Sequence, residues 1–527
     1  MAHKTCRRQA RCNRQYPHDA PKQRERLMRR SRRDKAQSVR KTQYTQLSQP
    51  YHPAAIFSDD HVAAIHETAA QILEETGIRI LNEEARSVLH TAGAVVQDDM
   101  VRIGREMVTS AIRLAPKEFT FKGAVPARDQ RFKTGAMIFG PAGGCPNAHD
   151  LVRGRRPGDA SAFVDAIKLQ QHFDAVHILG PSAEPQDVPI ALRHYFSLET
   201  QMTLSDKPIT HYARGRGQSM DGFEMVQIGR AISNDDFQNN IWMKTVINTN
   251  SPRLIDNPMA EGILDFARNG QMLIITPFCL SGAMAPITAE GALTLQHLEV
   301  LAGLTLAQLA KSGAPVVYGG FSSNVDMKSG APAFGTPEHI KLLIGTGQMA
   351  RHLGLPWRSG AGAAGPTLDM QTAAETHMAL WGSLMGNATL TLHAAGWLEG
   401  GLTFGYEKFI MDMEALQVLA ELPAAPMEDL AATKEAILKV QPGGHFFDQP
   451  QTMALFATAF YNPLVSSYAN HGLWEEQGKL RAEERATQIW QRILDEFKPP
   501  EACAGMSEKL RPFVERRTAE GGAPILE

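Results

Sequence analysis

LPWRSGAGAAG (355–365), TLHAAGWLEGGL (391–402) and YEKFIMDMEAL (406–416) follow one another closely, each a short apolar run bordered by glycines or ionisable groups. Glycines clustered where a strand leaves a sheet let a ligand approach the backbone, because no Cβ stands in the way. Upstream, runs of strand length recur: VHILG (176–180), PITHYA (208–213), IWMKTVIN (241–248), LIITPFC (273–279), PVVYGGF (315–321), LPWRSGA (355–361) and LTLHAAG (390–396). KFIMDME (408–414) makes the eighth. Segments of helical periodicity separate most of them, with start signals such as Thr336-Pro337-Glu338 and Asp369.

Alternating strands and helices imply parallel pairing through right-handed crossovers. Eight such units over residues 174–420 predict a (β/α)8 barrel, the TIM-barrel architecture, while a doubly wound open sheet remains the alternative. The stretch from Gly396 to Lys408 is too short for a standard helix, so the seventh crossover is expected to be irregular. Residues 46–173 are expected to form an N-terminal helical or mixed cap, with 58–115 helical. Residues 421–527 are expected to form a C-terminal helical extension, with helices over 425–441 and 474–497 and a tail from Pro499-Pro500.

Residues 1–45 read as a basic, disordered arm. The first 41 residues carry 15 Lys and Arg against 3 Asp and Glu; with the whole chain at −2, the remainder stands at −14. Such an arm can release counterions from nucleic acid phosphates. With few aromatics and no nucleic-acid module attached, a solvated tail or an arm lying on an acidic neighbour is the preferred reading. The five cysteines, Cys6, Cys12, Cys145, Cys279 and Cys503, are scattered and odd in number, which fits a reducing cytoplasm better than a disulfide framework. His3, Cys6, Cys12 and His18 match no common zinc spacing, and no bound metal is expected. No apolar run is long enough to span a membrane.

In a barrel, catalysis belongs at the C-terminal strand ends. This gathers Tyr212, Phe278, Tyr318, Trp357, Trp397 and Tyr406 as π faces suited to a quaternary ammonium ion. Arg358, Arg253 or His393 can hold a carboxylate at the other end of a zwitterion. Each has a plainer alternative: His393 as a hydrogen-bonded core histidine, Trp357 and Phe278 as packing. HExxH, Walker A, GxSxG and paired zinc spacings are all missing, as is a dinucleotide-binding fingerprint in the correct context.

At these residues the chain resembles the trimethylamine methyltransferase (MttB-like) family. The resemblance runs from about Pro50 to Phe497 and is carried by HETAAQILEETGIRI, PAGGCPNAHDLVRGRRPGDASAFVDAIKL, YGGFSSNVDMKSGAPAFGTPE, GLPWRSGAGAAGPTLDMQTAAE and GWLEGGLTFGYEKFIMDMEAL. It implies a (β/α)8 barrel and transfer of a methyl group from a methylated amine to the cobalt of a corrinoid (cobalamin) carried by a partner protein. The archaeal trimethylamine enzymes of that family use pyrrolysine, whereas here the corresponding loop, RSGAG, has glycine near Gly362. The resemblance is therefore to the branch acting on glycine betaine and related quaternary amines, with trimethylamine as the alternative substrate. On that basis His393 and Glu399 are the expected catalytic groups, and Tyr212, Phe278, Tyr318, Trp357, Arg358, Trp397 and Tyr406 the substrate contacts. Gly360, Gly362, Gly400 and Gly401 are expected to leave room for the corrin ring. Family resemblance and a basic arm on an acidic body point to a homo-oligomer.

Two rivals remain open. A lyase or aldolase on the same scaffold would want a Schiff-base lysine, for which Lys244 is the candidate. A quaternary-amine sensor would bind without turnover.

Overall fold

The computed structural model describes residues 42–212 and 214–525. Nearly all of the basic arm, with Cys6, Cys12, His3 and His18, lies outside the described residues. The central sheet contains β1 (Leu47–Ser48), β2 (Ala136–Phe139), β3 (Ile209–Thr210), β4 (Met243–Ile247), β5 (Met272–Ile275), β6 (Val316–Gly319), β7 (Trp357–Gly360) and β8 (Leu390–Leu392). Its order is β1-β2-β8-β7-β6-β5-β4-β3. Every neighbouring pair from β2 to β3 along this row is parallel, and only β1 runs antiparallel, against β2.

Helix α1 (Asp59–Glu75) precedes β2, and α2 (Ala160–His172) and α3 (Arg193–Leu204) both lie between β2 and β3. Helices α4 (Arg216–Arg230), α5 (Asn257–Arg268), α6 (Ala289–Ala310), α7 (Pro337–His352), α8 (Met370–Met385) and α9 (Tyr406–Glu421) then alternate with the strands from β3 onward. Thr336 and Asp369 cap α7 and α8 as anticipated, each side chain accepting from a first-turn N–H.

Two boundaries differ from expectation. The first parallel strand is β2, GAMIFG, which falls inside the segment assigned to the cap; the α/β region therefore starts before residue 174. KFIMDME is helix, part of α9, because Tyr406, Phe409, Ile410, Met413 and Leu416 form one buried stripe at three- and four-residue spacing. A window of seven residues is too short to separate that stripe from a buried strand. The apparent shortage of chain before Lys408 disappears with this correction, since no strand stands there.

VHILG is not a strand of the sheet. Its His177 N–H donates to Phe139 O at 2.9 Å and its Leu179 N–H to Pro208 O at 3.0 Å, so it bridges the ends of β2 and β3. Two-residue alternation divides the side chains. Ile138, Ile178, Met272, Ile274, Val317 and Leu390 share one apolar cluster with Phe121 and Phe132. Leu273, Ile275, Val316, Tyr318 and Trp357 join a different cluster with Leu298, Leu301 and Leu304 of α6.

The N-terminal region is mixed rather than helical throughout. Strands Ile78–Ile80, Val95–Gln97 and Met100–Arg102 interrupt its helices, and Leu254–Ile255 joins their sheet. At the C-terminal end, Ala482–Glu496 is helical, but Pro499-Pro500 leads into a further helix, Met506–Ala519, rather than a tail. Residues 426–462 form a separate unit with helices Leu430–Lys439 and Pro450–Leu455. Among the described residues no helix is long and apolar enough to cross a membrane.

Candidate active site

Strand alternation aims Lys244 and Val246 of β4 to one side, and Asn248 continues that row past the strand end. Arg358 of β7 faces the same space, although β5 and β6 separate its strand from β4. The segments leaving the sheet add Tyr212, Phe278, Phe321, His393 and Trp397, and Gly143, beside the Tyr212 hydroxyl, and Gly180 also line it. These groups enclose a cavity of about 570 Å³. It opens at the C-terminal ends of the strands.

Arg358 is the most unusual group there. It is 1 % exposed, and its Nε and Nη1 have no hydrogen-bond partner among the described residues. The guanidinium lies 4.6 Å from the centre of the Phe321 ring. Burial lowers its pKa to about 9. Lys244 is 2 % exposed, and burial, then repulsion from Arg358, brings its pKa to about 7. The residues lining the cavity include no Asp or Glu.

The aromatic wall is tightly built. Phe321 stacks on Phe278 at 5.2 Å between centroids and meets the Trp397 ring edge-on at 6.0 Å. His393 sits 3.7 Å from Trp397 with a left-handed backbone, φ +57°. Burial first, then Arg358 and Lys244, hold its imidazole well below the usual range, so it is neutral. A neutral ring here offers hydrogen-bonding nitrogens and no charge. Its Nδ1 and the Trp397 Nε1 are both buried without a hydrogen-bond partner among the described residues.

Trp397 is held by the pairing of Trp397–Leu398 with Thr403–Gly405, which in turn pairs with Asn147–Asp150. Asp412 of α9 accepts from the Gly396 N–H at 2.9 Å and pairs with buried Lys408. On the opposite side, Glu299 of α6 fixes the loop after β4. Its carboxylate accepts from Thr249 Oγ1, from Ser251 Oγ at 2.7 Å and from the Arg253 N–H at 2.7 Å.

A sequence model described as trimethylamine methyltransferase (MTTB) matches residues 24–522. The chain belongs to the trimethylamine methyltransferase family. It is accordingly a methyltransferase. A glycine betaine methyltransferase of Desulfitobacterium hafniense is 33 % identical over 89 % of this chain and 98 % of its own length. A trimethylamine methyltransferase of the same species is 27 % identical over 88 % of this chain and 94 % of its own. A proline betaine:corrinoid methyltransferase of Eubacterium limosum is 27 % identical over 73 % of this chain and 81 % of its own.

In this member of the trimethylamine methyltransferase family, Tyr212, Phe278, Arg358, His393 and Trp397 come together as expected from the sequence. Four other expected groups do not line the cavity. Tyr318 shares a hydrogen bond with His297 on the helix-facing side, and Trp357 donates to Asn387 O. Both stand one residue out of step with the inward-facing positions. Tyr406 donates to Asp165 from α9, and Glu399 accepts from Arg155 and Thr403. Arg253 is likewise occupied, its Nη1 donating to Gly77 O.

The glycines also serve a different purpose from the one expected. A Cβ at Gly360 would stand 2.5 Å from Phe321, and one at Gly362 or Gly401 2.2 Å from Trp397. They leave room for the protein's own rings. Gly400 adopts φ +62° in the turn that carries Glu399. Lys244, read from the sequence as a nucleophile candidate, is a lining residue beside Arg358. Arg214, Thr210, Met259 and Met284 were not singled out in the sequence and also line the cavity. The alternation Lys244-x-Val246-x-Asn248 was the available signal.

Proposed function

We propose that this chain transfers a methyl group from a quaternary methylated amine, glycine betaine or a related betaine, to the cob(I)alamin of a partner corrinoid protein. The observation that carries this reading is the pairing, in one cavity, of the Phe278, Phe321, Trp397 and Tyr212 rings with a buried Arg358 that has no carboxylate partner among the described residues. Aromatic faces stabilise the trimethylammonium group, and the guanidinium takes the carboxylate. The betaine substrates named for two relatives agree with it.

In the proposed reaction cob(I)alamin attacks an N-methyl carbon. The carbon–nitrogen bond breaks, its electron pair stays on nitrogen, and a neutral tertiary amine, dimethylglycine from glycine betaine, departs. The quaternary charge already makes that amine a good leaving group, so no proton has to be delivered. The protein's work is orientation and exclusion of water. His393 and Trp397, with free Nδ1 and Nε1, are placed to orient the substrate rather than to act as acid or base.

The same proposal takes the fold to be a closed (β/α)8 barrel, with VHILG as the member between β2 and β3. Support comes from its hydrogen bonds to both neighbours and from an apolar cluster shared by Ile178, Ile274 and Val317. The protein is taken to work in the cytoplasm, which suits the free cysteines Cys145, Cys279 and Cys503. A homo-oligomer is also part of the proposal, supported by exposed Phe447, Phe456 and Phe460.

The test mixes purified protein with free cob(I)alamin under strict anaerobiosis and follows the visible spectrum for methylcobalamin. Conversion with glycine betaine but not with trimethylamine supports the proposal. Conversion with trimethylamine alone overturns the choice of substrate.

A further inference from the structure

We propose that Lys244 and Arg358 form a two-cation clamp for a carboxylate, making an anionic end obligatory in any ligand that fills this cavity. As a statement about substrate class the inference rests on the betaine reading, and it extends that reading from Arg358 to Lys244.

The argument begins with an imbalance. Two basic side chains, each at most 2 % exposed, face one cavity from strands that are not neighbours in the sheet. Cations buried together are retained in folded proteins when an anion compensates them, and among the described residues no carboxylate lines the space. The repulsion between them is visible in Lys244, whose pKa is lowered by burial and by Arg358. The Arg358 Nε and Nη1 are buried donors without acceptors among the described residues. A planar guanidinium can grip a carboxylate through two parallel N–H bonds, and an ammonium supplies a point charge to a remaining lone pair.

The aromatic groups fix the ligand's direction. Phe321 already carries the guanidinium on its face, with Phe278 stacked beside it. The carboxylate end therefore lies towards Lys244 and Arg358, and the trimethylammonium end towards Phe278, Trp397 and Tyr212. Arg214, the other basic lining residue, is paired with Glu184. A cation without a carboxylate, such as choline or tetramethylammonium, would therefore add a positive charge beside Lys244 and Arg358, for which the lining residues supply no carboxylate. It is rejected by repulsion as well as by lost contacts.

A lowered lysine pKa also suits a Schiff-base nucleophile. The probes below separate the roles, because neither betaine nor 3,3-dimethylbutanoate carries the aldehyde or ketone carbonyl that an imine requires, so Lys244-dependent binding of either reports the clamp.

Calorimetric titration of the full chain tests the clamp with four probes: glycine betaine, its uncharged-head analogue 3,3-dimethylbutanoate, choline and tetramethylammonium. The unaltered protein is expected to bind the first two and to bind choline and tetramethylammonium at least about tenfold more weakly than betaine, the scale of one charge-assisted hydrogen bond. Lys244→Met is expected to weaken betaine and 3,3-dimethylbutanoate by about tenfold or more and to narrow the gap to choline. Choline binding as tightly as betaine to the unaltered protein overturns the clamp, and that arm needs no variant to fold. Unchanged betaine affinity in a folded Lys244→Met protein overturns it too. Lys244-dependent binding of 3,3-dimethylbutanoate without methyl transfer from betaine sustains the clamp while the betaine reading fails.

Discussion

A methyl group placed on Gly362 would stand 2.2 Å from Cδ1 of Trp397, so the indole fills the space that any side chain at position 362 would need. The Trp397 ring also touches His393 and Phe321, and through them one substitution reaches the whole aromatic wall. Gly362→Ala is therefore expected to leave the fold intact, shift the indole and lower methyl transfer by about tenfold to a hundredfold, the usual result of misplacing a positioning group by an ångström. Tryptophan fluorescence and the rate of methylcobalamin formation report the two effects separately.

Asp412→Ala leaves the Lys408 ammonium buried and unpaired and frees the Gly396 N–H. The expected loss is about 3 to 5 kcal/mol of stability. The double variant Lys408→Met with Asp412→Leu is expected to lose less than the single one, since no isolated charge remains. Urea unfolding curves for the three proteins settle the order.

Glu299→Gln tests the support of the loop after β4. The amide keeps an acceptor for some of the three donors from Thr249, Ser251 and Arg253 but not for all of them. Betaine affinity is expected to fall about tenfold, the equivalent of one hydrogen bond to a charged group, with the secondary structure unchanged. Titration calorimetry beside circular dichroism would show it.

Tyr318→Phe should behave oppositely. Its hydroxyl meets His297 away from the cavity, so the variant is expected to lose about 1 kcal/mol of stability and to keep its turnover. A large fall in turnover at unchanged stability would return Tyr318 to the active site.

The Lys244 ammonium gives a pH dependence with a definite sign. Its pKa is near 7 in the folded chain, against about 10.4 for an unfolded lysine, so folding disfavours the charged form. Below pH 7 the folded protein bears the full cost of the buried charge, and the cost fades as pH rises towards the unfolded value, at about 1.4 kcal/mol per unit. The unliganded Lys244→Met variant should therefore exceed its parent in stability most at pH 6 and least near pH 10. Denaturation midpoints across that range, without ligand, measure the difference.

Repetition is what made the α/β plan legible. Six of the eight predicted runs coincide with strands of the central sheet because each is short, apolar and followed by a helix with its own start signal. GAMIFG escaped because the hairpin from Asn147 to Pro157 separates it from its helix, and KFIMDME misled because seven residues of a buried helix resemble a buried strand. In the site, Arg358, His393, Trp397, Tyr212 and Phe278 were named from residue type and position after a strand. Tyr318 and Trp357 satisfied the same criteria and face the helices.

The sequence by itself determined the family, the alternation of strands and helices, and the end of the strands at which the ligand groups gather, because these depend on local pattern and order along the chain. Only the tertiary structure decided which member of each adjacent pair faces inward, and that Lys244 and Arg358 share one cavity with no carboxylate among its lining residues. Facing direction changes with a single residue of register, and two side chains on non-neighbouring strands meet only when the sheet curves.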